Sequence, residues 1–330
     1  AHMFFAPAVS RWWGFPSHPP IAERIRHACP AFRRDDYRAR RYGRSREVAV
    51  LDGLGNVVKH VQGFARDVGR PTPQHVDFAA RLLALLPRVL REALREPAAA
   101  ELAMLALACP PGHRDAGLAL VEARRGPAAA LAAGELHPVV SALARAHMLT
   151  LADLAIPAIR SQRQSERDRF LTDLASVVAL DGRLTLREFV LVTLLRQRLR
   201  EGAGQPIATR FRSLEPLAED ARIVLSLVAH AGGDAARAAF ARGWAVLGLP
   251  ARAIEERGRL TSALLDASLE RLRQLAPFAK PALLKACGEA AAADGKLTLA
   301  EAELARTVAA TLDCPLPPLL AGQDPLALAA

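Results

Sequence analysis

From residue 72 onward, apolar positions recur at helical spacing, and Ala- and Leu-rich runs are punctuated by Pro and Gly. Thr72-Pro73 predicts a helix start, with Thr72 as N-cap and Pro73 as the first helical residue. Val76, Ala79, Ala80, Leu83 and Leu86 make its apolar stripe. Pro87 kinks or ends the helix, and Val89, Leu90, Ala93 and Leu94 continue the pattern. Pro97 opens a helix through Leu107, which Cys109-Pro110-Pro111-Gly112 stops. Residues 113–150 read as two more helices with breaks near Gly126-Pro127 and Gly134, followed by an apolar helix from Leu149 to Ile159 with Pro157 inside it. Short helices in succession predict an all-α chain, arranged as a solenoid or an irregular multi-helix bundle.

The pattern then repeats itself. Asp181-Gly182-Arg183-Leu184-Thr185-Leu186-Arg187-Glu188 returns as Asp294-Gly295-Lys296-Leu297-Thr298-Leu299-Ala300-Glu301, each time between two apolar helical stretches. Unit one spans about 165–200, with Phe170, Leu174, Val177 and Val178 before the phrase and Phe189, Leu191, Leu194 and Leu195 after it. Unit two spans about 277–312. Between them lie a loop over 201–216 and a helix pair that turns at Gly232-Gly233-Asp234. Thr185-x-x-Glu188 and Thr298-x-x-Glu301 fit capping boxes, in which the Thr hydroxyl accepts from the N3 amide and the Glu reaches back to the N-cap amide. Gly182 and Gly295 stand where a preceding helix calls for a left-handed residue. Leu184 and Leu297 are placed to act as hydrophobic staples. Asp181 and Asp294 are left without a role in this account, because a helix C-terminus disfavours an anion.

Composition narrows the class. The chain has 330 residues, 51% hydrophobic and only 5% aromatic, enough for a sizeable core built from small and γ-branched side chains. The formal net charge is +10, and most of the cations are arginines spread along the chain. That balance suits an acidic partner, either nucleic acid or an anionic membrane face, although solvated helix faces use arginine in the same way. Cys29, Cys109, Cys287 and Cys314 show no paired spacing and read as core residues of a reducing compartment. No apolar run is long enough to cross a bilayer. Ala1-His2-Met3 reads as a cloning remnant, and the unspaced aromatics Phe4, Phe5, Trp12, Trp13 and Phe15 read as the cut edge of a domain. Residues 33–46 hold seven arginines with no apolar period and read as a basic linker.

Chemical motifs are sparse. Asp52-Gly53-Leu54-Gly55-Asn56 lacks the third glycine of a phosphate loop and a preceding strand. No H-E-x-x-H and no G-x-S-x-G occurs. Asp181 with Glu188, and Asp294 with Glu301, sit seven residues apart around a turn, an Asp and a Glu in the manner of a calcium loop. The intervening oxygen donors of such a loop are missing, so these four are weak cation candidates.

Three stretches together resemble one family. Ser17-His18-Pro19-Pro20-Ile21-Ala22-Glu23-Arg24-Ile25 resembles the segment near the end of the peptidase domain in HtpX-like, CAAX-prenyl-protease-like membrane zinc metallopeptidases. The two Asp-Gly phrases resemble those of TerB-like helical domains. Leu312-Asp313-Cys314-Pro315-Leu316-Pro317-Pro318 is similar to the terminus of the bacterial subgroup that joins such a peptidase to a helical C-terminal region. The resemblance implies a parent with transmembrane helices and a zinc site on the cytoplasmic side of the bacterial inner membrane, hydrolysing peptide bonds. Both its H-E-x-x-H and its downstream Glu would precede residue 1. It places His18 and Arg24 at the border of the active-site cleft. It divides the chain into a peptidase remnant (1–30), a basic linker (31–71), a helical-hairpin region (72–164) and a duplicated TerB-like region (165–330). This chain is then expected to be inactive alone and to bind no zinc. It would work by substrate capture, assembly or regulation beside the peptidase and membrane part, with protein substrates or partner proteins and an anionic membrane surface as its contacts. The alternative is a stand-alone helical module that binds an acidic partner or a divalent cation.

Overall fold

The computed structural model describes residues 72–143, 147–203, 205, 207–295, 297–314 and 316. These residues form thirteen α-helices joined by short loops and 3-10 turns, with no strand among them. In chain order they are α1 (Pro73–Leu85), α2 (Arg88–Ala93), α3 (Pro97–Ala108), α4 (Arg114–Arg125), α5 (Pro127–Ser141), α6 (Met148–Arg160) and α7 (Gln164–Val178). There follow α8 (Leu186–Leu199), α9 (Ala218–Ala231), α10 (Ala236–Leu247), α11 (Ser262–Arg273), α12 (Lys280–Ala291) and α13 (Leu299–Thr311). The all-α multi-helix architecture expected from the sequence is the one observed.

Proline and glycine set most boundaries. Pro73, Pro97 and Pro127 open their helices in the first turn, where a missing amide costs nothing. Pro87 ends α1 rather than bending it, and α2 restarts directly after it. Gly126 at φ 87 supplies the left-handed corner between α4 and α5. Gly134 does not break α5, which runs through both it and Pro138. The apolar face of α1 also differs from the expected stripe. Phe78 and Leu82 are buried beside Leu299, and Leu86 joins the main core, whereas Val76 is 54% exposed. α11 is not among the elements expected from the sequence. Thr261 caps it by accepting from the Leu264 amide at 3.3 Å, and Leu265, Leu269 and Leu272 bury its i, i+4, i+7 face.

α3 is the centre of the first half. Every residue from Ala100 to Ala108 is buried, so this helix is covered all round and is enclosed by α5, α6 and α7. In the second half α9 plays that part, packing on α10, α11 and α12. The halves are not separate. α3 packs on α7 and α6 packs on α8, and one hydrophobic cluster runs from Leu86 to Leu316. The tightest crossing is α10 on α12. A Cβ on Gly243 would stand 2.6 Å from the Ala286 carbonyl oxygen and 3.0 Å from the Ala290 Cβ.

One charge inside this core is explained by its neighbours. Glu101 is buried in the middle of α3 and pairs with Arg125 at the end of α4. Arg125 also holds Asp173 of α7, its Nε donating at 2.7 Å, and Arg124 donates to the second Asp173 oxygen at 2.9 Å. Two arginines and two carboxylates thus close a neutral network that joins three helices. Beyond α13 the chain turns at Asp313, with φ 54. There the Cys314 amide donates to the Ala309 carbonyl at 2.9 Å and the Asp313 amide to that of Ala310 at 3.2 Å, which is a Schellman stop. The helix therefore ends before Pro315.

Candidate functional site: the paired Asp-Gly turns

Both repeated phrases build the same object. After α7, the 3-10 turn Ala179–Asp181 ends at Gly182, which takes the left-handed conformation at φ 68, ψ 13. The chain then enters α8 through Thr185. The Thr185 amide donates to Glu188 Oε2 at 2.7 Å, and Thr185 Oγ1 accepts from the Glu188 amide at 3.3 Å. After α12, Gly295 turns the chain at φ 82 and Thr298 caps α13. The Thr298 amide donates to Glu301 Oε2 at 2.8 Å, and Thr298 Oγ1 accepts from the Glu301 amide at 3.3 Å. The two capping boxes read from the sequence are present. The capped helices α8 and α13 pack on each other.

Asp181 finds its partner in the backbone. Its Oδ1 accepts from the Arg183 amide at 2.9 Å, an Asx turn that stabilises the corner beside Gly182. Leu184 is exposed at 44%, so it makes no staple, whereas Leu297 is half-buried against the core. Glu188 and Glu301 are both buried, each with an oxygen committed to its own N-cap amide. The copies differ in surroundings. Glu301 sits against the α9–α10 turn, where a Cβ on Gly232 would come within 2.7 Å of Glu301 Oε1. Burial pushes the Glu301 carboxyl above its ordinary pKa, and the nearby Asp294 charge adds to the effect.

No family model matches the chain, and no curated protein and no solved structure matches it.

Among the described residues, no group of three or more His, Cys, Asp or Glu is placed to hold a metal ion, and no helix is long and apolar enough to cross a membrane. His18, Arg24, Cys29, the Arg33–Arg46 segment and the Gly53–Gly55 loop lie outside the described residues.

Two further arrangements fall elsewhere. Between α3, α4 and α5 lies a small apolar pocket lined by Cys109, Gly117, Leu118, Ala133 and His137, with Arg114 also at its wall. Burial pushes the Cys109 thiol up, and it donates to the His113 carbonyl at 3.5 Å. Burial, and then the Arg114 charge, push His137 down. A protonated thiol beside a neutral imidazole fills space and is not set up as a nucleophile. On α9, Arg222 bridges Glu219 and Glu255, each at 2.6 Å, which draws both carboxyls below their ordinary range. Ser226 Oγ accepts from the Glu255 amide at 2.9 Å, and His230 Nε2 meets the Glu255 carbonyl at 2.8 Å. This set straps the loop after α10 onto α9. The sequence signal for the buried network was Glu101 itself, a lone acid inside the apolar run Pro97–Ala108. The strap had no such signal, because its partners lie about 30 residues apart in segments without a shared pattern.

Proposed function

We propose that this chain is the non-catalytic C-terminal helical region of a membrane-bound zinc metalloendopeptidase of the HtpX-like type, carrying a TerB-like duplicated helical unit. It serves as a scaffold for substrate capture, assembly or regulation. The scaffold half of the reading is carried by the matched turns. Two equally built units pack their capped helices against each other, and their polar side chains are spent on caps and corners. The parentage rests on the Ser17–Ile25 segment and its order ahead of the repeats. In the parent, zinc would be held by the peptidase part on the cytoplasmic side of the bacterial inner membrane.

Two measurements on the purified chain test this. Metal analysis after dialysis is expected to find no stoichiometric zinc, and a peptide-library digest is expected to yield no cleavage. Cleavage that a chelator abolishes and zinc restores would overturn the reading.

A further inference from the structure

One corner of the molecule gathers cations around a protruding aromatic ring. The loop before α9 runs alongside the end of α11. The Arg210 and Phe211 amides donate to the Gln274 carbonyl at 2.9 and 3.2 Å, and the Ala276 amide donates to the Phe211 carbonyl at 2.8 Å. This is a parallel bridge between Phe211 and Leu275. Phe211 turns inward, half-buried, with the Arg271 guanidinium 5.5 Å above its ring. Arg210 and Arg212 flank Phe211 in the chain, and both are exposed. Two residues past Ala276, Phe278 stands 77% exposed in the turn before α12. Lys285, two helical turns further on, is exposed as well.

The charge of this corner is not balanced. Arg271 is matched by Asp220 at 2.9 Å and Arg273 by Glu270 at 2.5 Å, whereas Arg210, Arg212 and Lys285 make no ion pair among the described residues. Phe278 is the one exposed aromatic among the described residues. An exposed ring in a turn beside unpaired cations matches a partner that is apolar just beneath an anionic surface.

We propose that Phe278, with Arg210, Arg212 and Lys285, docks the chain on an anionic lipid bilayer. The ring enters the headgroup boundary while the cations meet acidic headgroups. Stable interfacial binding takes two such signals together, an apolar anchor and a basic patch. Single-stranded nucleic acid fits less well, because it uses a series of aromatic platforms along a groove, and here Phe278 is the one exposed aromatic among the described residues. The inference names a surface for the membrane contact in the reading above, but it needs neither zinc nor peptidase parentage. Its outcome is therefore separable from the metal and cleavage results.

The test is co-sedimentation of the full chain with vesicles of phosphatidylcholine alone and of phosphatidylcholine with phosphatidylserine. Binding is expected to the acidic vesicles only and to weaken as salt is raised. Phe278→Ala should weaken it about tenfold, Phe278→Trp should keep it, and Arg210→Gln with Arg212→Gln should weaken it about 30-fold. Arg237→Gln with Arg257→Gln removes the same charge from other exposed positions and should change little. Melting curves followed by circular dichroism check that each variant is folded. Absence of binding, equal binding to neutral vesicles, or an equal loss in the Arg237 and Arg257 variant would overturn the proposal. So would tighter binding of a single-stranded oligonucleotide that also depends on Phe278.

Discussion

At the scale of single residues, the sharpest chemistry belongs to Glu301. Its carboxyl is pushed up mainly by burial and further by Asp294, while it still accepts from the Thr298 amide. The native state therefore holds the Glu301 proton more tightly than the unfolded chain does. Its contribution to stability is full below the ordinary value of 4.5 and is lost as pH rises from there through the raised native value. Glutamine keeps an oxygen for the Thr298 amide and carries no charge. Glu301→Gln should thus melt near the wild type in acid and above it at neutral pH, the gap opening as pH climbs past 4.5. Melting temperatures across roughly pH 3 to 8, a range that brackets carboxylate titration, read this directly, and a variant less stable at every pH would show that the cap needs the charge. The caps themselves were legible, since Thr-x-x-Glu after Gly has one local solution. The exposure of Leu184 was not, because whether a staple closes depends on which helix passes nearby.

At the scale of elements, helix ends were easier to read than helix faces. Pro97 and Pro127 announce their helices through backbone chemistry that no neighbour can overrule. The face of α1 is a different matter. Alanine and leucine lie on several sides of it, and contact with Leu299 selects Phe78 and Leu82 over Val76. α11 was obscured by its own charges, because Asp266, Glu270, Arg271 and Arg273 interrupt a stripe that only packing on α9 makes decisive. Gly243 shows the same limit, since a glycine within a helix looks like a weak point until the partner backbone is in view. A methyl group there meets the Ala286 carbonyl at 2.6 Å, so α10 and α12 would have to separate. Gly243→Ala is expected to destabilise by about 1–3 kcal/mol despite alanine's better helix propensity. Gly134→Ala, whose nearest neighbour would be a Leu118 methyl at 3.7 Å, should be neutral or slightly stabilising. Urea denaturation of the pair compares them, and equal effects would mean that the α10–α12 crossing is looser than its geometry.

At the scale of the whole molecule, the all-α class followed from composition and period, but the joining of the halves did not. No pattern along the chain states that α3 meets α7 or that α6 meets α8. The Glu101–Arg125–Asp173 network marks that joint, and it makes the joint testable. Truncating one partner of a buried ion pair typically costs about 3–5 kcal/mol, while replacing the whole set with apolar residues of similar size is often neutral. Asp173→Ala should therefore lower stability by about that amount, leaving Arg125 with Glu101 alone. The triple change Glu101→Leu, Arg125→Met, Asp173→Leu should recover much of the loss. Because one hydrophobic cluster runs from Leu86 to Leu316, the cost should be felt at both ends of it. Amide hydrogen exchange in α3 and in α12 is expected to speed up by the same factor in Asp173→Ala, as it does when both helices open only with the whole unit. Faster exchange confined to α3 would mean that the chain unfolds in two steps and that the joint between α3 and α7 does not couple the hairpin region to the duplicated one.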